Sequence, residues 1–261
     1  MKYIIPIVLL IVILLTACAT SPLGRKTLRF FPDNEMAQMG AAAFLQTQQK
    51  TPVSKDGRKN AYVACVATAI TREMQGGSAA WEVVVFEDKA ANAFALPGGK
   101  IGVYTGLLQV AKTQDQLAAV IGHEVAHVTA RHANERVSTA FAAQAGLNIV
   151  DAIYGGTSAG RNAMALLGLG TQVGILMPFG RAQESEADLI GLDNMARAGF
   201  DPRESITLWQ NMAKAGGGAP PEFLSTHPSH GTRVEDLNKR MPDAMRLYDA
   251  ARVAGRKPRC G

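Results

Sequence analysis

The chain has 261 residues, 47% of them hydrophobic, with a net charge of +5 and a pI of about 9.2. That length holds one large domain or two small ones around a globular core. The basic residues are dispersed, apart from Arg256, Lys257 and Arg259 near the end. They accompany no zinc-finger or basic-helix pattern, which argues against a nucleic-acid binder and leaves mild attraction to an anionic membrane surface.

Residues 1–17 read as an export signal. Lys2 supplies the positive start, and the apolar run Ile4–Leu15 is too short to span a bilayer. Leu15-Thr16-Ala17-Cys18 resembles a bacterial lipobox, so cleavage before Cys18 would leave that cysteine to carry lipid. Ordinary secretory cleavage, with Cys18 a bystander, is the alternative. Ala19, rather than Asp, follows the cysteine, which points to the outer membrane under enterobacterial-type sorting. Of the three cysteines, Cys65 and Cys260 then remain as two thiols in an oxidising compartment, where they can pair. Such a bond would stabilise by on the order of 4 kcal/mol in the chain-entropy account.

Residues 18–32 lack helical periodicity and read as a lipidated tether. A domain over 33–242 follows, then a tail over 243–261. Asn34–Gln49 reads as a helix capped by Asp33, and Asn60–Gln75 as a second, stopped by Gly76 and Gly77. Trp81–Phe86 is β-rich. Ala93–Ala95 and Ile101–Tyr104 flank Pro97-Gly98-Gly99, the pattern of a hairpin turn. A small sheet beside a metal-binding helix can offer its edge strand to an extended peptide. Asn92, Ala93, Phe94 and Ala95 are therefore candidate substrate-binding residues, with a purely structural hairpin as the alternative.

Thr113-Gln114-Asp115-Gln116 has capping-box spacing and opens the helix that carries His123-Glu124-Val125-Ala126-His127. Positions four apart on a helix differ by about 40° in azimuth, so the two imidazoles share a face and can bind one zinc ion. Glu124 stands beside that face, able to deprotonate a water activated by the metal. The surrounding Ala118, Ala119, Val120, Ile121, Val125 and Ala126 mark a buried helix, in which unpartnered polar groups are costly. His132 lies about 140° from His127 by the same rotation and is not expected to be a ligand.

Ser138–Gly180 carries only Asp151 and Arg161 as charges and many glycines. A buried hairpin is expected there, with a mobile cover over a cleft as the alternative. Arg181–Leu189 then places Glu184 and Asp188 on one helical face, with Glu186 turned away from it. One carboxylate can complete the metal site, and the other can accept the free N–H of a ligand histidine. That helix ends at Gly199. Asp201-Pro202-Arg203-Glu204 starts another, and Ser229 is expected to cap a last helix through about Arg240.

HEVAH followed by ESEAD, 57 residues from His127 to Glu184, resembles the gluzincin metalloprotease family that includes HtpX and the CaaX prenyl proteases. NAFALPGGKIGVYTGLL before the helix and THPSHGTR after it add to the likeness. The periplasmic lipoprotein branch, with LoiP and the protease domain of BepA, is the most similar part of that family. The likeness covers roughly residues 30–241. It implies an α+β, mainly helical zincin fold with a small sheet beside the metal-binding helix, and one zinc per chain. It further implies His123, His127 and Glu184 as metal ligands, Asp188 as support for a ligand histidine, and Glu124 as catalytic base. His227, in the His-Pro segment, would face the zinc, either as a fourth ligand that keeps the enzyme latent or as a donor to the oxyanion. The implied function is an endopeptidase for misfolded or unassembled envelope proteins. A zinc-containing assembly factor without proteolysis is the rival reading, and an intact Glu124 argues against it.

Overall fold

The computed structural model describes residues 18–73, 81–154, 178–215, 222–227 and 231–261. Two short strands, β1 (Cys18–Thr20) and β2 (Lys26–Leu28), pair antiparallel. Helices α1 (Asp33–Lys50) and α2 (Gly57–Arg72) follow. Then come strands β3 (Glu82–Phe86), β4 (Ala93–Leu96) and β5 (Lys100–Tyr104), and a 3₁₀ turn at Leu107–Gln109. Helices α3 (Gln114–Thr129), α4 (His132–Tyr154), α5 (Arg181–Arg197), α6 (Glu204–Ala215), α7 (Glu222–Thr226) and α8 (Arg233–Val253) complete the chain.

The sheet has the order β3-β5-β4, with β3 parallel and β4 antiparallel to the central β5. The turn from β4 to β5 uses left-handed backbone at Gly98 (φ 84°) and Gly99 (φ 73°), where a β-carbon would be strained. β4 is an edge strand and packs beside α3. Val85, Ile101 and Val103 from the sheet meet Val63, Val66 and Ile70 of α2 and Leu117, Val120 and Ile121 of α3 in the main core. Phe44 of α1 packs with Phe86 and Leu96 in a smaller cluster on the other side, flanked by Phe94 and Tyr104.

α3 is the centre of the molecule. Every residue from Gln116 to His127 is buried, as its nearly unbroken apolar circumference requires. Thr113 Oγ1 accepts the Gln116 N–H at 3.2 Å and caps the helix. The Gln116 side chain does not return to Thr113 to close a capping box. Its Oε1 accepts the Lys112 N–H at 2.7 Å instead.

α3 and α5 cross with their backbones touching. A β-carbon on Gly122 would come within 2.8 Å of the Gly191 carbonyl oxygen, and one on Gly191 within 2.7 Å of the His123 nitrogen. Only glycine at both positions permits this approach.

Two expectations change at the ends of the chain. Residues 18–32 are not a loose tether, because β1 and β2 form a hairpin whose continuation is bonded to α4. Phe30 N–H donates to Ser138 Oγ at 2.8 Å, and Asn134 Nδ2 donates to the Phe31 carbonyl at 2.6 Å. The last helix starts at Arg233 and runs through Pro242 to Val253, well past Arg240. Buried Ala244 and Ala251 hold that second half against the core. The remaining tail is fixed as well: Cys65 and Cys260 form a disulfide with Cα atoms 5.5 Å apart, and Gln114 Nε2 donates to the Pro258 carbonyl at 3.0 Å.

The expected hairpin over 138–180 is replaced at its start by helix, since α4 continues through Tyr154. Its middle, residues 155–177, lies outside the described residues, as do the export signal and His230. No helix among the described residues is long and apolar enough to cross a membrane.

Candidate metal centre

His123 and His127 project from adjacent turns of α3, and α5 lies alongside. The Gly122–Gly191 contact brings the first turn of α5, with Glu184, over the two imidazoles. His227 arrives from the end of α7. These four side chains present ligand atoms that all lie within 4.8 Å of one another, and all four are buried. His123 Nε2 is 3.0 Å from His127 Nε2 and 3.2 Å from His227 Nδ1. Glu184 Oε1 is 3.3 Å from His127 Nε2 and 3.0 Å from His227 Nδ1.

Each imidazole of α3 is held from behind. His123 Nδ1 lies 2.9 Å from Asp188 Oδ1, and His127 Nδ1 lies 3.0 Å from His132 Nδ1. A neutral imidazole with its proton on Nδ1 has its lone pair on Nε2. The two Nε2 lone pairs then face each other and the Glu184 carboxylate, an arrangement that only a cation or an extra proton between them can stabilise. The residues therefore fit a zinc ion, whose protein ligands are of these types.

The electrostatics show the same demand for positive charge, met here by a proton on His123 that a bound cation would displace. Burial opposes charge on His123, but Asp188 and Glu184 outweigh it and raise its pKa to about 10. The His127 imidazole, pushed far down by burial, stays neutral as a ligand must. Burial also disfavours the Glu184 carboxylate, yet hydrogen bonds with His123, His127 and His227 hold it well below the usual range.

Helical spacing alone leaves Glu184 and Asp188 interchangeable; the structure gives them separate places. Glu184 is in the donor cluster, whereas Asp188 sits behind His123. Arg233, the last residue of the THPSHGTR segment, bridges both carboxylates. Its Nε is 2.6 Å from Asp188 Oδ2, and Nη2 is 2.8 Å from Glu184 Oε2. Its guanidinium carbon lies 4.0 Å from the centroid of the Trp209 ring. Sequence reasoning passed over Arg233, although it ends a segment already singled out.

Glu124 is 1% exposed and faces both the cluster and the sheet. Its Oε2 accepts the Ala95 N–H at 3.1 Å, and its Oε1 is 3.3 Å from His227 Nε2. Burial pushes its carboxyl above the usual range, against the opposing pull of His227 and His123. Of the edge-strand candidates, Ala93 and Ala95 are buried, and Ala95 turns its N–H toward Glu124 rather than β5. The half-buried Phe94 ring packs with Phe44, Phe86 and Tyr104 against the smaller cluster. The Asn92 carbonyl accepts from Tyr104 N–H at 3.0 Å, across the sheet. Two rings close over the imidazoles: Phe179 stacks on His127 with centroids 3.6 Å apart, and Phe223 on His227 at 4.4 Å.

A model of peptidase family M48 matches residues 57–241. The chain belongs to peptidase family M48. Zinc is the metal of this family of metalloproteases, and the buried His123, His127, Glu184 and His227 group can bind it. This M48 chain is 40% identical over 173 residues to mitochondrial metalloendopeptidase OMA1 of Schizosaccharomyces pombe, covering 63% of the chain and 48% of that relative. The human metalloendopeptidase OMA1 is 36% identical over 182 residues, covering 65% of the chain and 34% of its own length. The β-barrel assembly-enhancing protease of Escherichia coli is 27% identical over 210 residues, covering 78% and 43%. The M48 chain thus matches about half or less of the length of these relatives.

Proposed function

We propose that this chain is a zinc-dependent endopeptidase of the bacterial cell envelope, anchored through lipid on Cys18 and acting on misfolded or unassembled envelope proteins. The convergence of His123, His127 and Glu184 beside the buried carboxylate of Glu124 carries the peptidase reading. When bound by these three residues, one zinc ion supplies Lewis acidity and lowers the pKa of water at its open position.

Glu124 takes the proton of the attacking water and passes it to the departing amine. Burial raises its pKa, which favours uptake of that proton. The Ala95 N–H fixes one of its oxygens. Extended substrate adds to the free edge of β4, around Ala93 and Ala95, by main-chain hydrogen bonding. The Ala95 N–H then exchanges Glu124 for a substrate carbonyl, so docking and release of the base are coupled.

His227 holds the closed enzyme latent. The approach of its Nδ1 to His123 and Glu184, and of its Nε2 to Glu124, supports this role over that of oxyanion donor.

The envelope assignment is supported by the apolar run that ends in Leu15-Thr16-Ala17-Cys18. The E. coli relative, named for β-barrel assembly, is in keeping with it. Cleavage of casein by the purified chain, abolished by a zinc chelator, is the expected result. No chelator-sensitive cleavage from either wild type or His227→Ala would overturn the peptidase reading. Cys18→Ala should leave membrane fractions, and a wild-type protein that is already soluble would overturn the lipid anchor.

A further inference from the structure

His127 differs from His123 in what stands behind it. His123 is backed directly by a carboxylate, Asp188, whereas His127 is backed by another imidazole. His132 is fully buried, and its Nδ1 lies 3.0 Å from His127 Nδ1. On its far side, His132 Nε2 lies 3.2 Å from Glu186 Oε2. Glu186 is 3% exposed and is held by the N-terminal hairpin. The Leu23 N–H donates to its Oε1 at 3.0 Å, and Arg25 Nε donates to its Oε2 at 2.6 Å. The other two nitrogens of Arg25 grip Glu135 of α4 at 3.0 and 2.8 Å.

The donors and acceptors in this chain admit one consistent assignment. The Glu186 carboxylate only accepts, so His132 carries its proton on Nε2 and offers a bare Nδ1. His127 therefore donates from Nδ1 and keeps Nε2 free. With its proton on Nε2 instead, His127 could not bind a metal through that atom. A partner on the remote ring nitrogen is what fixes tautomer and ring orientation in metal sites.

We propose that His132, Glu186 and Arg25 are positioning residues for His127, so that the hairpin at Cys18–Leu28 completes the metal centre from outside it. The inference rests on His127 being a metal ligand. It gives the N-terminal segment a second role, because the stretch that leads from the membrane anchor also sets the orientation of a ligand on the central helix.

The test measures zinc affinity of the full-length chain by chelator competition, together with the visible spectrum of the cobalt(II)-substituted protein. His132→Ala should lower zinc affinity by about 10–100-fold, the usual cost of losing such a partner, and should alter the cobalt bands. His132→Asn places a carboxamide oxygen where Nδ1 sits and should recover most of the affinity. Arg25→Met should cause a smaller loss than His132→Ala, and Arg25→Lys should restore part of it. If His132→Ala does not fold, His132→Asn and Glu186→Gln carry the same comparison, with Glu186→Gln the weaker binder of the two. Wild-type affinity and cobalt spectrum in folded His132→Ala, or in Glu186→Gln where His132→Ala does not fold, would overturn the inference, leaving a cluster that only fastens the hairpin. His127→Ala separates this from the parent reading: should it retain tight zinc, His127 is not a ligand and both fail.

Discussion

Gly191→Ala offers a test of how the site is assembled, because helix propensity and tertiary geometry predict opposite signs. Inside a helix, alanine is better than glycine by about 0.8–1.0 kcal/mol. Here the new β-carbon would lie 2.7 Å from the His123 nitrogen and 2.8 Å from its Cα. Ordinary carbon contacts need about 3.5 Å, so α3 and α5 must part by roughly 0.7–0.8 Å. The obstructing atoms are backbone and cannot rotate away. Overpacking of this kind costs about 1–3 kcal/mol, or roughly 2–12 °C in unfolding midpoint for a domain of this size. The displacement also carries Glu184, two turns earlier on α5, away from the imidazoles. Zinc ligand distances tolerate about 0.2 Å, so zinc content should fall together with stability. Thermal unfolding and metal analysis of the purified variant would show both effects. Gly57→Ala, in the first turn of α2 where an added β-carbon meets nothing within 4 Å, is the control and should be neutral to slightly stabilising. A Gly191→Ala protein as stable as wild type, with full zinc, would refute the close-contact argument.

Other outcomes follow from the same geometry. Glu124→Gln should keep zinc and lose cleavage by roughly 100-fold or more; loss of the metal in that variant would mean Glu124 is a ligand. His227→Ala should raise basal proteolysis of an unfolded substrate with zinc retained, whereas a fall in turnover would assign it to the oxyanion. Reducing the Cys65–Cys260 bond, which spans 195 residues, should lower stability by roughly 5 kcal/mol in the chain-entropy account, measured by denaturant unfolding with and without reductant; equal midpoints would show the bond does not constrain the unfolded chain. Acid should destabilise the fold in two overlapping windows. Burial lowers the His132 pKa to about 4 despite Glu186, so its contribution is present above 6.5 and is lost as pH falls toward 4. Glu186, whose burial is outweighed by hydrogen bonds from the hairpin and His132, is held at about 2, so its contribution fades below 4.5. A His132→Asn protein should show a flatter stability profile between pH 6.5 and 4, and an unchanged profile would remove His132 from the account.

Local rules made much of the centre legible. The spacing of His123, Glu124 and His127, the Thr113 cap and the apolar circumference of α3 are properties of one helix, and helical periodicity predicts them. The turn at Gly98 and Gly99 and the shared face of Glu184 and Asp188 are equally local. What sequence could not decide was each choice that depends on long-range contact. Helical spacing alone does not tell Glu184 from Asp188, and their separate places are set when α5 docks on α3 through Gly122 and Gly191. Arg233 is an ordinary basic residue until the chain's return brings it between two buried carboxylates. His132 stands behind His127 because α3 ends at Thr129 and the chain turns at Arg131 into α4, not because of helical azimuth, and it gains a role only because His127 has a second ring nitrogen on that side. Residues 18–32 carry no periodicity because their partners, Glu135, Glu186 and Ser138, lie more than a hundred positions away. The two histidine ligands were written in their spacing along one helix; the choice of carboxylate and the orientation of every ligand were not written in spacing, because the groups that set them meet only in the folded protein.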